Sequence, residues 1–221
     1  MSMTLFDISC IEASLRAFQS DFGRINPRLS LHREPFTDDL LANMLSAYAF
    51  LNEALAKGFH IMTPAGQHAL LEMNHLVLCG TEPKTRFEYH NHVLKTRTRF
   101  HERIGRIRKW FRKRQHKDDA FALAAALYSL AVSQPQLFIE GNHRTGNLLV
   151  NFVLISAGQS PFVVRAGNAV EYFELSGEMK LAGHGDNPHP TRSQLTRWRK
   201  QFAALLRSEA DETYLHREPD S

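Results

Sequence analysis

Cysteine is nearly absent from this 221-residue chain, which contains only Cys10 and Cys79. Two cysteines cannot build a disulfide scaffold or a cysteine-rich zinc module. So low a cysteine content is typical of proteins from a reducing compartment, and we therefore expect a cytoplasmic location.

Long apolar runs are also lacking. No stretch approaches the roughly 18 consecutive apolar residues that a bilayer-spanning helix needs. The segment from Met1 to Asp7 has no basic region followed by an apolar core, as a signal peptide would have. Hydrophobic residues make up 43% of the chain and charged residues 23%, which is typical of globular proteins and excludes wholesale disorder. We expect a soluble protein with no membrane partner.

Acidic residues are scarce in one segment only. Between Lys84 and Lys117 the chain has 13 basic and 2 acidic residues, whereas the remainder has 14 basic and 21 acidic residues. A basic segment inside an otherwise acidic chain favours an anionic partner: a nucleic acid, an acidic protein surface or a nucleotide. A solvated helix face without a partner is the alternative interpretation.

Apolar residues recur at helical spacing over most of the chain, which predicts a mainly α-helical fold. Helices are expected over residues 38–57, 63–80, 100–112, 120–132, 144–157, 168–179 and 191–205, the last of them capped by Thr191. The helical period fails before Thr98, where Arg86 to His90 alternate like a strand, so we expect a short hairpin over residues 86–98. The polar residues from Ser208 onward are expected to fray.

A polar loop, residues 136–142, separates two apolar helices and has the features of a phosphate site. Gly141 and Asn142 tolerate unusual backbone angles, so their amides can turn toward one point. The unpaired N–H groups of the following helix attract negative charge. Arg144 is a cation in the first turn, which the helix dipole disfavours unless an anion is bound. Glu140 is a hard oxygen ligand that could hold Mg²⁺ beside phosphate oxygens. An ordinary polar turn is the alternative.

The sequence of this loop resembles the signature of the Fic (Fido) family, His-x-Phe-x-Asp/Glu-Gly-Asn-Gly-Arg-x-x-Arg. The matching residues are Phe138, Glu140, Gly141, Asn142 and Arg144. The order of elements fits the family from roughly residue 64 to residue 179, with a buried helix on either side of the loop and a hairpin upstream.

The resemblance implies a Fic-like helical bundle with a small β-hairpin flap. It divides the chain into an N-terminal helical part (1–60), a Fic-like core (61–180) with the flap (86–98) and the motif loop (136–147), and a C-terminal helix with a frayed tail (181–221). Members of the family bind ATP or another nucleoside triphosphate with Mg²⁺, and most active members are adenylyltransferases. They transfer AMP to a hydroxyl group of a target protein, which the flap would hold by strand addition.

The resemblance also implies roles for individual residues. Glu140 would coordinate Mg²⁺, and Arg144 would contact the phosphates. The backbone amides of Gly141, Asn142 and His143 would form the anion hole.

Three positions depart from the family pattern. Gln136 stands where the family has the histidine that accepts the proton of the attacking hydroxyl, and an amide cannot take up a proton near neutral pH. Loss of a general base costs about 10²- to 10⁴-fold in rate. Asn147 replaces the final arginine of the nucleotide site, which removes a charge-assisted contact worth roughly 1.5–3 kcal/mol. His143 replaces a glycine, so a side chain stands where the backbone approaches phosphate.

These departures leave two interpretations of the site. In the first, the protein is a pseudoenzyme that binds a nucleotide, with impaired or altered AMPylation. In the second, His143 is a relocated base, which we favour less because it lies seven residues from position 136. The inhibitory helix of many members, Ser/Thr-x-x-x-Glu-Gly/Asn, is absent from the sequence. From another functional class, the alternative is a non-catalytic module that binds an acidic protein or a nucleic acid through residues 84–117.

Two further patterns carry less weight. The pairs His90/His92 and His184/His189 have no third ligand at a diagnostic spacing, so we expect no structural metal. Trp110 among the basic residues suits single-stranded nucleic acid, but packing against the core explains this aromatic more simply.

Overall fold

The computed structural model of the protein describes residues 4–181 and 192–216. This part of the chain contains nine α-helices: α1 (Ile8–Ile25), α2 (Asp38–Ala56), α3 (Gly66–Cys79), α4 (Pro83–Glu88), α5 (His90–Arg114), α6 (Ala120–Val132), α7 (Asn142–Ser156), α8 (Ala169–Leu181) and α9 (Arg192–Glu209). Two short strands, β1 (Leu5–Phe6) and β2 (Leu215–His216), pair antiparallel. One-turn 3₁₀ helices cover Asn26–Arg28 and Glu212–Tyr214. A mainly helical fold with a small antiparallel sheet is thereby confirmed.

Polar side chains fix where the predicted helices begin. The hydroxyl of Thr37 accepts a hydrogen bond from the Leu40 amide at 3.2 Å, and Asp119 accepts one from the Ala122 amide at 3.0 Å. Both caps satisfy amides that the first helical turn leaves unpaired. The cap predicted at Thr191 and the pair His184/His189 lie outside the described residues. None of the helices in the described ranges is long and apolar enough to span a bilayer.

Helix α6 lies at the centre of the hydrophobic core. It contacts α5, α7, α8 and α9, and its residues Ala124, Leu127 and Tyr128 are fully buried. A single hydrophobic cluster extends from Phe6 to Tyr214, so all three parts of the chain share this core. The predicted order of buried helix, polar loop and buried helix is confirmed, and it holds the loop at both ends.

Helices α6 and α7 are in tight contact at Gly146. A Cβ atom at this position would lie 2.9 Å from two ring carbons of Tyr128. Since a buried tyrosine ring cannot yield without moving its neighbours, only glycine fits here.

The variant Gly146→Ala is therefore expected to lower the free energy of unfolding by about 1–3 kcal/mol, because the added methyl group overpacks the α6–α7 contact. Urea denaturation measures the change. Gly105→Ala is the matched control, since Gly105 is an exposed helical residue and a Cβ added there would have no other atom within 4 Å. That variant should be more stable by roughly 0.4–1 kcal/mol. Equal changes in both variants would contradict the close contact.

The predicted hairpin over residues 86–98 is wrong, because this segment is helical. Glu82 caps α4 by accepting hydrogen bonds from the amides of Lys84 and Thr85, and Pro83 occupies the first turn, where its missing N–H costs nothing. Phe87 is 81% exposed, so the alternation around it does not represent a half-buried strand.

Helix α5, which is 25 residues long, covers the rest of the predicted flap and continues beyond it. Its buried side chains recur at helical spacing: Thr96, Phe100, Ile104, Ile107 and Phe111. This apolar stripe packs against the core and selects a helix over a strand. A helix has no free backbone edge, so the docking of a target protein by strand addition has no basis in this segment.

The C-terminal part is held against α1 as far as His216, contrary to the expected fraying after Ser208. Tyr214 is buried, its hydroxyl lies 2.9 Å from the Ser14 hydroxyl, and its carbonyl accepts a hydrogen bond from the Asp7 amide at 2.8 Å. One aromatic residue in a polar segment produces no periodic signal, so the sequence did not reveal this contact. Residues 217–221 lie outside the described part of the chain.

Candidate functional site

The loop between α6 and α7 is closed by one of its own side chains. Asn142 accepts a hydrogen bond from the Phe138 amide at 2.8 Å and donates one to the Phe138 carbonyl at 3.0 Å. Leu137 and Phe138 are completely buried, so the loop is anchored in the core. Gly141 has a φ of 72°, in the left-handed region that favours glycine.

A second asparagine, which was not among the predicted site residues, holds the loop from α3. The side-chain amide of Asn74 donates hydrogen bonds to the Glu140 carbonyl and the Thr145 hydroxyl, both at 3.0 Å. A Cβ on Gly141 would lie 2.9 Å from the same nitrogen. The sequence did contain a signal, because Asn74 is a polar residue on the same helical face as Leu70.

The amide groups at the start of α7 form a positive surface. In the described ranges, the N–H groups of residues 141–144 have no hydrogen-bond acceptor, and the first bond of the helix is donated by the Thr145 amide to the Gly141 carbonyl. Four unpaired donors at a helix N-terminus favour binding of an anion. The structure thus brings the predicted anion-hole residues Gly141, Asn142 and His143 together.

A cavity of about 400 Å³ opens beside these amides. Gly141, Asn142, His143, Arg144 and Asn147 form one wall, and His32, Arg33 and Glu34, which precede α2, form another. The remaining wall is largely aromatic and comprises Phe18, Phe22, Phe36, Tyr48, Tyr172 and Phe173. A cavity with one polar and one aromatic side suits a small molecule of mixed character.

Positive charge predominates in the cavity lining. Arg33, Arg144 and Lys180 are cations, and Glu34 is the carboxylate that faces them. The cavity therefore attracts an anion more strongly than a neutral ligand.

Arg144 is half-buried and its side chain reaches α3. Its guanidinium donates a hydrogen bond to the Val77 carbonyl in the last turn of α3. Burial lowers the pKa of Arg144, whereas the carboxylates of Glu34 and Glu140 act in the opposite direction. The arginine remains charged, as arginine does in proteins, and it is positioned at the cavity wall.

Arg33 is a second cation at this site, and it too was absent from the predicted site residues. Its guanidinium lies 5.2 Å from the centre of the Phe173 ring and donates to the Phe173 carbonyl at 3.3 Å. The Nε atom is buried and has no acceptor among the residues that the structure describes. Arg33 belongs to a segment without periodicity, so no sequence signal could have placed it next to the motif loop.

Asn147 lines the cavity and has a buried donor group without a partner. Only 4% of this residue is exposed, and its carbonyl oxygen accepts hydrogen bonds from the Tyr48 hydroxyl at 2.9 Å and the Asn151 amide at 3.3 Å. Its amide nitrogen has no partner within residues 4–181 and 192–216. A buried donor without an acceptor is costly, and a ligand oxygen in the cavity would remove that cost.

His143 turns away from the amides and into a cluster of hydroxyl groups. Its Nδ1 atom lies within hydrogen-bond distance of the Tyr128 hydroxyl, at 3.0 Å, and of the Ser176 hydroxyl. Burial lowers the pKa of His143 to about 3, and the charges of Arg33, Lys180 and Arg144 act in the same direction. The imidazole is therefore neutral at pH 7 and a weak base.

This lowered pKa predicts an acid-sensitive fold. The unfolded chain binds a proton at His143 near pH 6.5 while the folded chain does not, so stability falls as the pH drops from about 6.5 toward 3. His143 contributes a slope of up to about 1.4 kcal/mol per pH unit. Urea denaturation at several pH values should therefore show a smaller slope for His143→Gln than for the wild type. Identical slopes would mean that the imidazole titrates alike in both states.

Two of the predicted site residues lie away from the cavity lining. The Gln136 side chain donates to the Val132 carbonyl at 3.2 Å, and Glu140 is exposed. In the described part of the chain, no three His, Cys, Asp or Glu side chains converge on a point where a metal could bind. Any metal here would rely on one carboxylate together with ligand oxygens, an arrangement common for Mg²⁺ with nucleotides.

No protein-family model matches this chain, and no solved structure matches it.

Proposed function

We propose that the cavity at the start of α7 binds the phosphates of a nucleoside triphosphate such as ATP, and that the protein is a Fic-like pseudoenzyme with impaired AMP transfer. The observation that supports this proposal is the convergence of unpaired donors and cations on one cavity. These groups are the amides of residues 141–144, the side-chain amide of Asn147, and the guanidinium groups of Arg33 and Arg144.

A nucleotide suits the two chemically different sides of the cavity. Phosphate oxygens would accept hydrogen bonds from the α7 amides and pair with Arg144 and Arg33. The base would lie against the aromatic wall around Phe18, whose ring is 5.1 Å from Phe36 and 6.1 Å from Phe173. Flat rings offer a base a large contact area without demanding one base identity.

Mg²⁺ would be held through Glu140, which is exposed and lies outside the cavity lining but whose negative charge acts on Arg144. One carboxylate beside phosphate oxygens is sufficient to hold this ion, which would neutralise charge on the phosphates. Nucleoside triphosphates are available in the cytoplasm, and a cytoplasmic location belongs to the same proposal.

The missing base accounts for the impaired transfer. In AMP transfer, a protein hydroxyl oxygen bonds to the α-phosphorus, the bond to pyrophosphate breaks, and the hydroxyl proton passes to a base. The Gln136 amide cannot accept that proton. His143 is a poor substitute because its Nδ1 atom faces two hydroxyls and its pKa is about 3.

Isothermal titration calorimetry with ATP and Mg²⁺ tests the binding proposal. The wild-type protein should give saturable heat at a stoichiometry of one. The variant Asn147→Asp should bind more weakly, because it replaces a buried donor by an acceptor that carries negative charge. Asn91→Asp, an exposed change on α5, is the matched control and should bind like the wild type. Absence of heat with ATP, GTP, CTP and UTP would overturn the proposal.

A further inference from the structure

We propose that the outward face of α5 binds the phosphate backbone of a nucleic acid duplex, at a site separate from the nucleotide cavity. Helix α5 carries ten Lys and Arg residues and one acidic residue, Glu102. No residue of α5 lines the cavity at the start of α7. Its basic character therefore requires a separate explanation.

The helix presents two opposite stripes. Its apolar stripe, centred on Phe100 and Ile104, is buried against the core. Its outward stripe is exposed and repeats every three or four residues: Lys95, Arg99, Glu102, Arg106, Lys109 and Lys113. Because an α-helix rises 1.5 Å per residue, five cations are distributed over about 27 Å of a straight surface.

Within residues 4–181 and 192–216, no ion pair neutralises the cations of the outward stripe. Among the described residues, the ion pair made by α5 is Arg114 with Asp118, at the very end of the helix. Like charges instead stand four residues apart on the outward face, as at Lys95 and Arg99 or Lys109 and Lys113. Each such pair destabilises the helix by about 0.2–0.5 kcal/mol. The pKa of Arg103 is lowered by burial and by the charges of Arg106 and Arg99.

The chemistry of the stripe favours nucleic acid over an acidic protein. A specific protein interface has an apolar or aromatic centre, but the outward stripe contains no apolar residue, and Trp110 packs against the core instead. The same lack disfavours a membrane surface, where apolar residues must insert, and a single strand, whose bases need aromatic platforms. A straight row of cations matches the regular phosphates of a duplex.

Fluorescence anisotropy with a labelled DNA duplex of about 20 base pairs, which exceeds the stripe at ~3.4 Å per pair, tests the proposal. Binding should be independent of base sequence. The logarithm of the association constant should fall with the logarithm of salt concentration at a slope near −4.5 if all five cations contact phosphates. The double variant Arg106→Gln/Lys109→Gln should reduce the magnitude of that slope by about 2 and leave ATP binding unchanged.

The control is a double variant that removes two positive charges from another part of the surface. Arg24→Gln/Arg28→Gln changes two exposed residues at the end of α1 and in the 3₁₀ helix after it, so it should leave the slope unchanged. An equal decrease of the salt slope in both double variants would show that net charge alone attracts the duplex, and it would overturn the proposal. Absence of duplex binding at about 50 mM salt, or equal binding of polyglutamate, would overturn it as well.

Discussion

The variant Gln136→His should transfer radiolabelled AMP from ATP to protein about 10²- to 10⁴-fold faster than the wild type. Position 136 begins the motif loop, and the present side chain is an amide that donates to the Val132 carbonyl. An imidazole at this position can accept a proton at neutral pH. The measurement uses ATP labelled at the α-phosphate, with the protein itself and a cell lysate as acceptors.

The variant Gln136→Asn is the control, because it changes the side chain but supplies no base. It should incorporate as little label as the wild type. Equal labelling of the histidine and asparagine variants would contradict the missing-base explanation. Label incorporated by the wild type and abolished in His143→Ala would instead support the relocated base.

Replacement of Arg144 by glutamine is expected to weaken ATP binding by about 10- to 100-fold. A charge-assisted contact to phosphate contributes roughly 1.5–3 kcal/mol, and 1.4 kcal/mol corresponds to a tenfold change in affinity. Calorimetry with ATP and Mg²⁺ measures the effect. Arg33→Gln should act in the same direction, because Arg33 lines the same cavity.

Two controls separate binding from folding. Arg144 also donates to the Val77 carbonyl, so the urea midpoint of Arg144→Gln must be compared with that of the wild type. Arg112→Gln removes an exposed cation of α5 and should leave ATP affinity unchanged. Unaltered ATP affinity in a folded Arg144→Gln protein would place the phosphates elsewhere.

The local features of the site were predictable from the sequence. A helix such as α6 is apolar on nearly every side, and its cap at Asp119 is a local signal, so both could be recognised in a single segment. The turn at Gly141 and the start of α7 were predictable for the same reason, although the sequence placed the helix two residues too late. The local structure at each of these residues is determined by its neighbours in the sequence.

The residues that complete the site depend on contacts between distant segments. Asn74, which holds the loop, stands 66 residues before Glu140, whose carbonyl it contacts. Arg33 approaches Phe173 across 140 residues. Such contacts follow from the packing of α1, α3, α7 and α8, which no local pattern specifies. The side-chain direction of His143 likewise depends on Ser176 of α8.

The segment 81–98 shows how a local pattern can mislead. Five alternating residues from Arg86 to His90 suggested a strand, but the alternation is also compatible with a short helix whose Phe87 is exposed. The longer period of buried residues that begins at Thr96 extends to Phe111 and outweighs the short alternation. The helical period of buried residues therefore had to be traced from Phe100 back toward the N-terminus, as far as Thr96.

A crystal structure of the protein with ATP and Mg²⁺ tests the central claim most directly. We expect phosphate oxygens within hydrogen-bond distance of the amides of residues 141–144, with Arg144 in contact with the phosphates and the base beside Phe18. Nucleotide density at another place, or a loop that stays closed by its own side chains at saturating ATP, would contradict the assignment of this cavity as a nucleotide site.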